Sequence, residues 1–270
     1  MKRRSRVVMT ALNRRDLKRL GIEDKKSDDG YIPKIRWNIR DVLFSVIFLV
    51  TVLTGIYFLS AKIVSILNQG NQISITSITN TSFSILYGIQ VILMVGAVWF
   101  FAVYWRRSSF RDLGLTYYSI LKTIWYSFLA LLLILAINFI YVFVMTSVFK
   151  IAPPENKIAE LVENGNVSST ILLIVVSLVA PVCEELFFRG FIFQAFRENW
   201  GVFAGLFISS ILFAAAHLEL YNFIPLMAIG WVLAYIFHKT KSLFPVIFLH
   251  SIYNLLMILV LFSQFKEIAV

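Results

Sequence analysis

Seven apolar runs divide this chain, at about residues 42–66, 83–105, 123–148, 169–193, 201–217, 222–237 and 243–262. The hydrocarbon core of a bilayer is about 30 Å thick and takes roughly 20 helical residues to cross. Inside lipid a spanning helix satisfies its own backbone polar groups. The expected fold is therefore all-α, a polytopic membrane helical bundle of seven transmembrane helices, or eight if one long run divides in two. Composition agrees: 59% of the residues are hydrophobic, 15% are charged and the mean hydropathy is +0.80. Soluble domains average roughly 45–50% apolar and about 25% charged. An ordinary soluble enzyme, a disordered chain and a fibre are excluded on those grounds.

Charge is also unevenly placed. Of 40 charged residues, 18 fall in the first 40 positions, where 13 Lys and Arg stand against 5 Asp and Glu. The net charge of +10 is thus mainly a property of the tail. Three regions follow: a basic tail at 1–40, an N-terminal group of about three spans at 41–168, and a C-terminal group of about four spans at 169–264. A basic tail ahead of a membrane segment reads as cytoplasmic and attracted to anionic lipid. Nucleic acid is not an expected partner, because no DNA-binding motif or aromatic-interleaved basic surface is present. The basic 106–122 loop, the Arg197 turn and the Lys239–Lys241 turn fall on the same side as the tail. Polar 67–82, acidic 149–168 and the 218–221 turn fall on the other. A multi-pass cell-membrane protein with its N-terminus in the cytoplasm is the result. The single cysteine, Cys183, excludes an intrachain disulfide and a zinc site of cysteines alone.

Few charges remain at bilayer depth, and they are informative because each costs at least about 2.5–3.5 kcal/mol there. The fourth run contains Glu184, Glu185 and Arg189. Glu185 and Arg189 are four residues apart, share a helix face and can pair. Glu184 points about 100° away and is left to face a cavity. Pro181 precedes the pair and can bend the helix by removing a backbone donor. His217 closes the fifth run. His250 and Asn254 lie one turn apart in the seventh. His238 sits at a membrane boundary beside Lys239 and reads as interfacial.

These residue types suit amide hydrolysis. A carboxylate or imidazole can take a proton from water. Imidazole and carboxamide N–H groups can stabilise a tetrahedral oxyanion. The same set could hold a divalent ion such as zinc through Glu184, His217 and His250. No HExxH signature is present, so the pattern requires no metal.

Three motifs occur in order: EExxxR at Glu184-Glu185-Leu186-Phe187-Phe188-Arg189, FxxxH at Phe213 to His217, and HxxxN at His250 to Asn254. In that order on successive apolar helices, they resemble the CAAX-protease and bacteriocin-processing family of intramembrane proteases, also called Abi, over about 170–260. The resemblance implies that Glu184 is the general base, helped by His217. It implies that Glu185 and Arg189 form a supporting pair and that His250 and Asn254 make the oxyanion hole. The implied substrate is a membrane-associated peptide or protein, and the implied activity is endopeptidase cleavage.

Other readings keep the same residues. The network can belong to a non-catalytic scaffold or a bacteriocin self-immunity protein of the same fold. A transporter would place paired polar residues in both halves, and 41–168 supplies almost none. A cysteine nucleophile at Cys183 would be removed by activity surviving Cys183→Ser. One geometric condition bears on the whole set. His217 lies about 16 residues into its run, roughly 24 Å at helical rise. It can meet Glu184 and His250 only if the fifth helix tilts or begins outside the hydrocarbon.

Overall fold

The computed structural model describes residues 33–68, 88–154 and 169–268. Most of the basic tail, including its expected lipid contact, lies outside the described residues, as do 69–87 and 155–168. The seven apolar runs are all helical where described: α1 (Ile39–Asn68), α2 (Gly88–Trp105), α3 (Ile120–Ser147), α4 (169–200), α5 (Val202–Ala216), α6 (Phe223–Thr240) and α7 (Leu243–Ile268). No strand occurs among the described residues. The protein is a polytopic helical bundle. Five helices (α1, α2, α3, α6 and α7) are long and apolar enough to cross a membrane.

α5 differs from the expected span. Its 15 residues reach only about 22 Å at 1.5 Å per residue. It starts after Gly201, at φ 92°, and ends where His217 is followed by Leu218 in the left-handed region at φ 55°. Those two backbone reversals set its length, which hydropathy alone does not register.

α4 is continuous but alternates in register. α-helical turns at Ser169–Ile174, Ala180–Glu185 and Gln194–Trp200 are separated by π-helical turns at Val175–Val179 and Leu186–Phe193. The Ala180 N–H donates to Val175 O, five residues back. Pro181 follows directly, so the wide turn falls where the ladder loses a donor in any case. All eight residues of the second π segment are buried. A helix closed on every side is central, and α1, α5, α6 and α7 all pack against α4. A π turn also shifts the backbone pairing and leaves carbonyls available. Trp37 Nε1–H donates to Phe191 O at 2.9 Å, and Gln194 Nε2–H donates to Gly190 O at 2.7 Å.

The stretch between α2 and α3 is not a free surface loop. Leu113 is fully buried. Asp112 O accepts from Gln194 at 2.9 Å, Gly114 O accepts from the Leu243 N–H at 2.8 Å, and Ser242 Oγ donates to Thr116 O at 2.6 Å. Gly114 sits at φ 97°, and a Cβ there would lie 2.5 Å from the Phe237 ring. The segment is thus a strap across α4, α6 and α7. A Cβ on Gly190 would lie 2.9 Å from the strap's Leu113 O, a rigid backbone atom. Gly190→Ala is therefore expected to destabilise the fold by about 1–3 kcal/mol through overpacking. A thermal midpoint in detergent indistinguishable from wild type would refute this crossing.

At the outer layer, Asp41 at the start of α1 accepts from Arg106 Nε at 2.9 Å and Nη2 at 2.8 Å. That hydrogen bonding raises the Arg106 pKa above its ordinary value. α3 reaches the other side of the bundle. Asn138 Nδ2–H donates to Tyr253 Oη at 2.6 Å, and Tyr141 Oη–H donates to Tyr221 O.

Candidate active site

α4 supplies the centre of the site. Glu185 ends an α-helical stretch and Arg189 lies in the π segment that follows. Glu185 Oε1 accepts from Arg189 Nη1 at 2.8 Å and from His250 Nδ1, on α7, also at 2.8 Å. Arg189 Nη2 donates to Gly230 O of α6 at 3.1 Å, and the guanidinium carbon sits 4.5 Å from the Phe213 ring centroid of α5. A guanidinium held by a carboxylate, a carbonyl and an aromatic face is well suited to a dry setting. Both side chains of the Glu185–Arg189 pair are 0% exposed. One ion pair thus ties α4 to α5, α6 and α7.

Glu184 is placed differently. Its side chain is 13% exposed and its Oε2 has no hydrogen-bond partner in the protein. The nearest cationic candidate is His250 Nε2, 3.9 Å from that oxygen. This is too long for a hydrogen bond, yet short enough for one small molecule to touch both. The bond to Glu185 holds the His250 ring with a hydrogen on Nδ1, so Nε2 is the atom turned toward Glu184. The two adjacent carboxylates therefore occupy unlike environments: Glu185 is fully buried with Oε1 held by Arg189 and His250 and Oε2 unpartnered, whereas Glu184 keeps some exposure and its Oε2 accepts no hydrogen bond.

His217 caps the end of α5. Its Nδ1–H donates to Phe213 O at 2.8 Å, which leaves Nε2 as an acceptor. Its ring centroid lies 4.7 Å from that of Phe213, whose ring is in turn 5.7 Å from His250. Phe213 therefore touches Arg189, His217 and His250. The structure brings Glu184, Glu185, Arg189 and His250 into direct proximity and joins His217 to them through Phe213, with no bond from His217 to Glu184. Asn254, one turn beyond His250, donates to Val176 O in the first π segment of α4 at 2.9 Å. One amide N–H and the amide oxygen of Asn254 remain. His238 Nδ1 lies 3.3 Å from Lys241 Nζ, away from this group. Cys183 is half-buried and has no histidine bonded to its sulfur.

The donors do not converge as a three-ligand metal set. Among the described residues no group of three His, Cys, Asp or Glu side chains is placed to hold an ion. Glu185 Oε1 is committed to Arg189 and His250, and Nδ1 of His217 to a carbonyl.

Residues 166–256 match the family described as Type II CAAX prenyl endopeptidase Rce1-like. Over these residues the chain is similar to that Rce1-like family. The matched residues contain all three motifs. A putative membrane peptidase, YdiL, of Bacillus subtilis (strain 168) is 34% identical over 84 residues, covering 31% of this chain and 34% of that protein. An uncharacterized 24.3 kDa protein of Escherichia coli is 30% identical over 95 residues, covering 34% of this chain and 43% of that protein. The chain thus spans about a third to two fifths of the length of these curated relatives. No solved structure matches the chain significantly.

Some residues around the Rce1-like site escape a reading of the sequence. The strap at 106–118 lies outside the matched segment, and its signal is Leu113-Gly114-Leu115 inside an otherwise basic stretch. Asn138 is a polar residue in a long apolar run, and it reaches Tyr253, the neighbour of Asn254. Phe213 is visible in the FxxxH spacing, but its contact with both histidines is not.

Proposed function

We propose that this chain is an intramembrane endopeptidase that hydrolyses a peptide bond in a membrane-associated peptide or protein. The observation that carries the reading is the pairing of an unpartnered Glu184 Oε2 with His250 Nε2 at 3.9 Å, beside a closed Glu185–Arg189 pair. Glu184 takes a proton from water as the water oxygen attacks the scissile carbonyl carbon. The carbonyl oxygen becomes an oxyanion. Where His250 carries a hydrogen on Nε2 it donates it to this oxyanion, and Asn254 offers its second amide N–H. As the carbon–nitrogen bond breaks, Glu184 returns the proton to the leaving amine. His217, oriented by its bond to Phe213 O, acts on the same water through Nε2 and not through contact with Glu184. Glu185 and Arg189 position His250. No step in this sequence requires a metal. The tail and the loops on its side face the cytoplasm, and the tail contacts anionic lipid.

The decisive experiment is quantitative membrane and secreted peptidomics of wild type against a Glu184→Ala strain. It should reveal one or a few cleavage products that vanish in the variant, and identical peptide profiles would overturn the proposal. In purified protein, His250→Ala should lower kcat by about 10²–10³, the range for loss of an oxyanion donor. A change confined to KM would reassign His250 to binding. Activity should survive chelators. Loss on chelation with recovery on zinc would move Glu184, His217 and His250 into a metal-binding role. A scaffold or self-immunity role is favoured if Glu184→Ala keeps the phenotype at normal protein level, since the Glu185–Arg189 lock would then be the whole purpose of the network.

A further inference from the structure

A second feature lies outside the Rce1-like segment, where α1 begins and α2 ends. A cleft of about 460 Å³ is walled by Phe44, Phe100 and Trp105 and flanked by Arg40, Asp41 and Arg106. This volume is within the range of small-molecule sites. The three aromatic residues are exposed, so the walls face outward. On the surface of spanning helices that direction is toward acyl chains, and aromatic side chains at helix ends belong at headgroup level. Arg106 uses Nε and Nη2 on Asp41 and keeps Nη1. The Arg40 side chain makes no hydrogen bond or ion pair among the described residues, so two guanidiniums stand against one carboxylate. Arg36 and Arg107 adjoin, with Arg36 Nη1 donating to Arg107 O at 2.8 Å.

Guanidinium groups match the oxygens of a phosphate monoanion or diester in a fork geometry. A free phosphate would use the arginines and ignore the aromatic wall, whereas a neutral hydrocarbon would do the reverse. We infer that the cleft between α1 and α2 binds an anionic glycerophospholipid, with its phosphate between Arg40 and Arg106 and its glycerol and upper acyl carbons against Phe44, Phe100 and Trp105. This site is separate from any attraction of the 1–32 tail to the membrane surface and from the peptidase reading.

The test uses the full chain in detergent, followed by native mass spectrometry with phosphatidylglycerol, phosphatidylcholine or inorganic phosphate. One phosphatidylglycerol should remain bound under activation that strips phosphatidylcholine. Arg40→Ala should weaken its retention about tenfold or more, as loss of a charge-assisted contact implies. Arg14→Ala with Arg15→Ala in the tail should leave it unchanged. Brominated phosphatidylglycerol should quench a fluorescence component that disappears in Trp105→Phe. Arg40 is exposed, so folding is not at stake in its variant, and an unchanged thermal midpoint would verify this. Equal retention of the two lipids, displacement by inorganic phosphate, or wild-type retention by Arg40→Ala would each overturn the site.

Discussion

Glu184→Gln is expected to lose nearly all peptide cleavage while folding as wild type does. The glutamine keeps the shape of the side chain and removes only its capacity to take a proton. General-base contributions run to about 10²–10⁴ in rate, so turnover should fall by at least the lower figure. Stability should hold because Glu184 Oε2 has no hydrogen-bond partner to lose. The measurement is cleavage of the substrate found by peptidomics, alongside a thermal melt and a gel-filtration profile of the same preparation. Wild-type cleavage would remove Glu184 from the chemistry. Joint loss of activity and folding would show instead that Glu184 helps hold the bundle.

Arg189→Met should give the largest stability effect. Glu185 is 0% exposed, and without Arg189 it becomes a buried charge with only His250 as partner. Breaking a buried pair from one side costs about 3–5 kcal/mol. The same substitution also removes the donor to Gly230 O and the cation over Phe213. Folded yield and thermal midpoint should fall sharply. Arg189→Lys should recover only part of the loss, because an ammonium cannot serve carboxylate, carbonyl and ring face together. Glu185→Gln combined with Arg189→Met should be more stable than Arg189→Met alone, since the uncompensated carboxylate is gone. A midpoint for Arg189→Met within about 1 kcal/mol of wild type would contradict a locking role.

These two variants separate what the sequence discloses from what only packing decides. The apolar runs show as helices because hydropathy and length suffice to find them. Glu185 and Arg189 pair because a four-residue offset returns to the same face in either helical register. The partner of His250 was not legible. It bonds to Glu185 and faces Glu184 at longer range, and that ranking depends on how α7 crosses α4. The π segments are also invisible to periodicity, since an extra residue per turn leaves the apolar character unchanged. Asn254 reads as a free amide in its motif, yet one of its N–H groups is bound to Val176 O, a carbonyl whose availability follows from the first π segment. The strap between α2 and α3 reads as a basic loop because its flanking arginines dominate, and the buried Leu113 between them carries no periodic signal.

The strap and Trp37 also set limits on what can be cut out or transplanted. The stretch that carries the three motifs is contiguous in sequence, but its interior is finished by side chains and backbone supplied from far upstream. A chain started near residue 166 would strip Trp37 from the Phe191 carbonyl, Asp112 from Gln194 and the Gly114 carbonyl from Leu243. Such a fragment would expose the π-helical heart of α4 to lipid with three polar backbone or amide groups left open. Chimeras that exchange only the motif-bearing half between relatives inherit the same defect unless the matching strap and entry helix travel with it. The unit that folds, and that selection or engineering can exchange intact, is larger than the unit that carries the motifs.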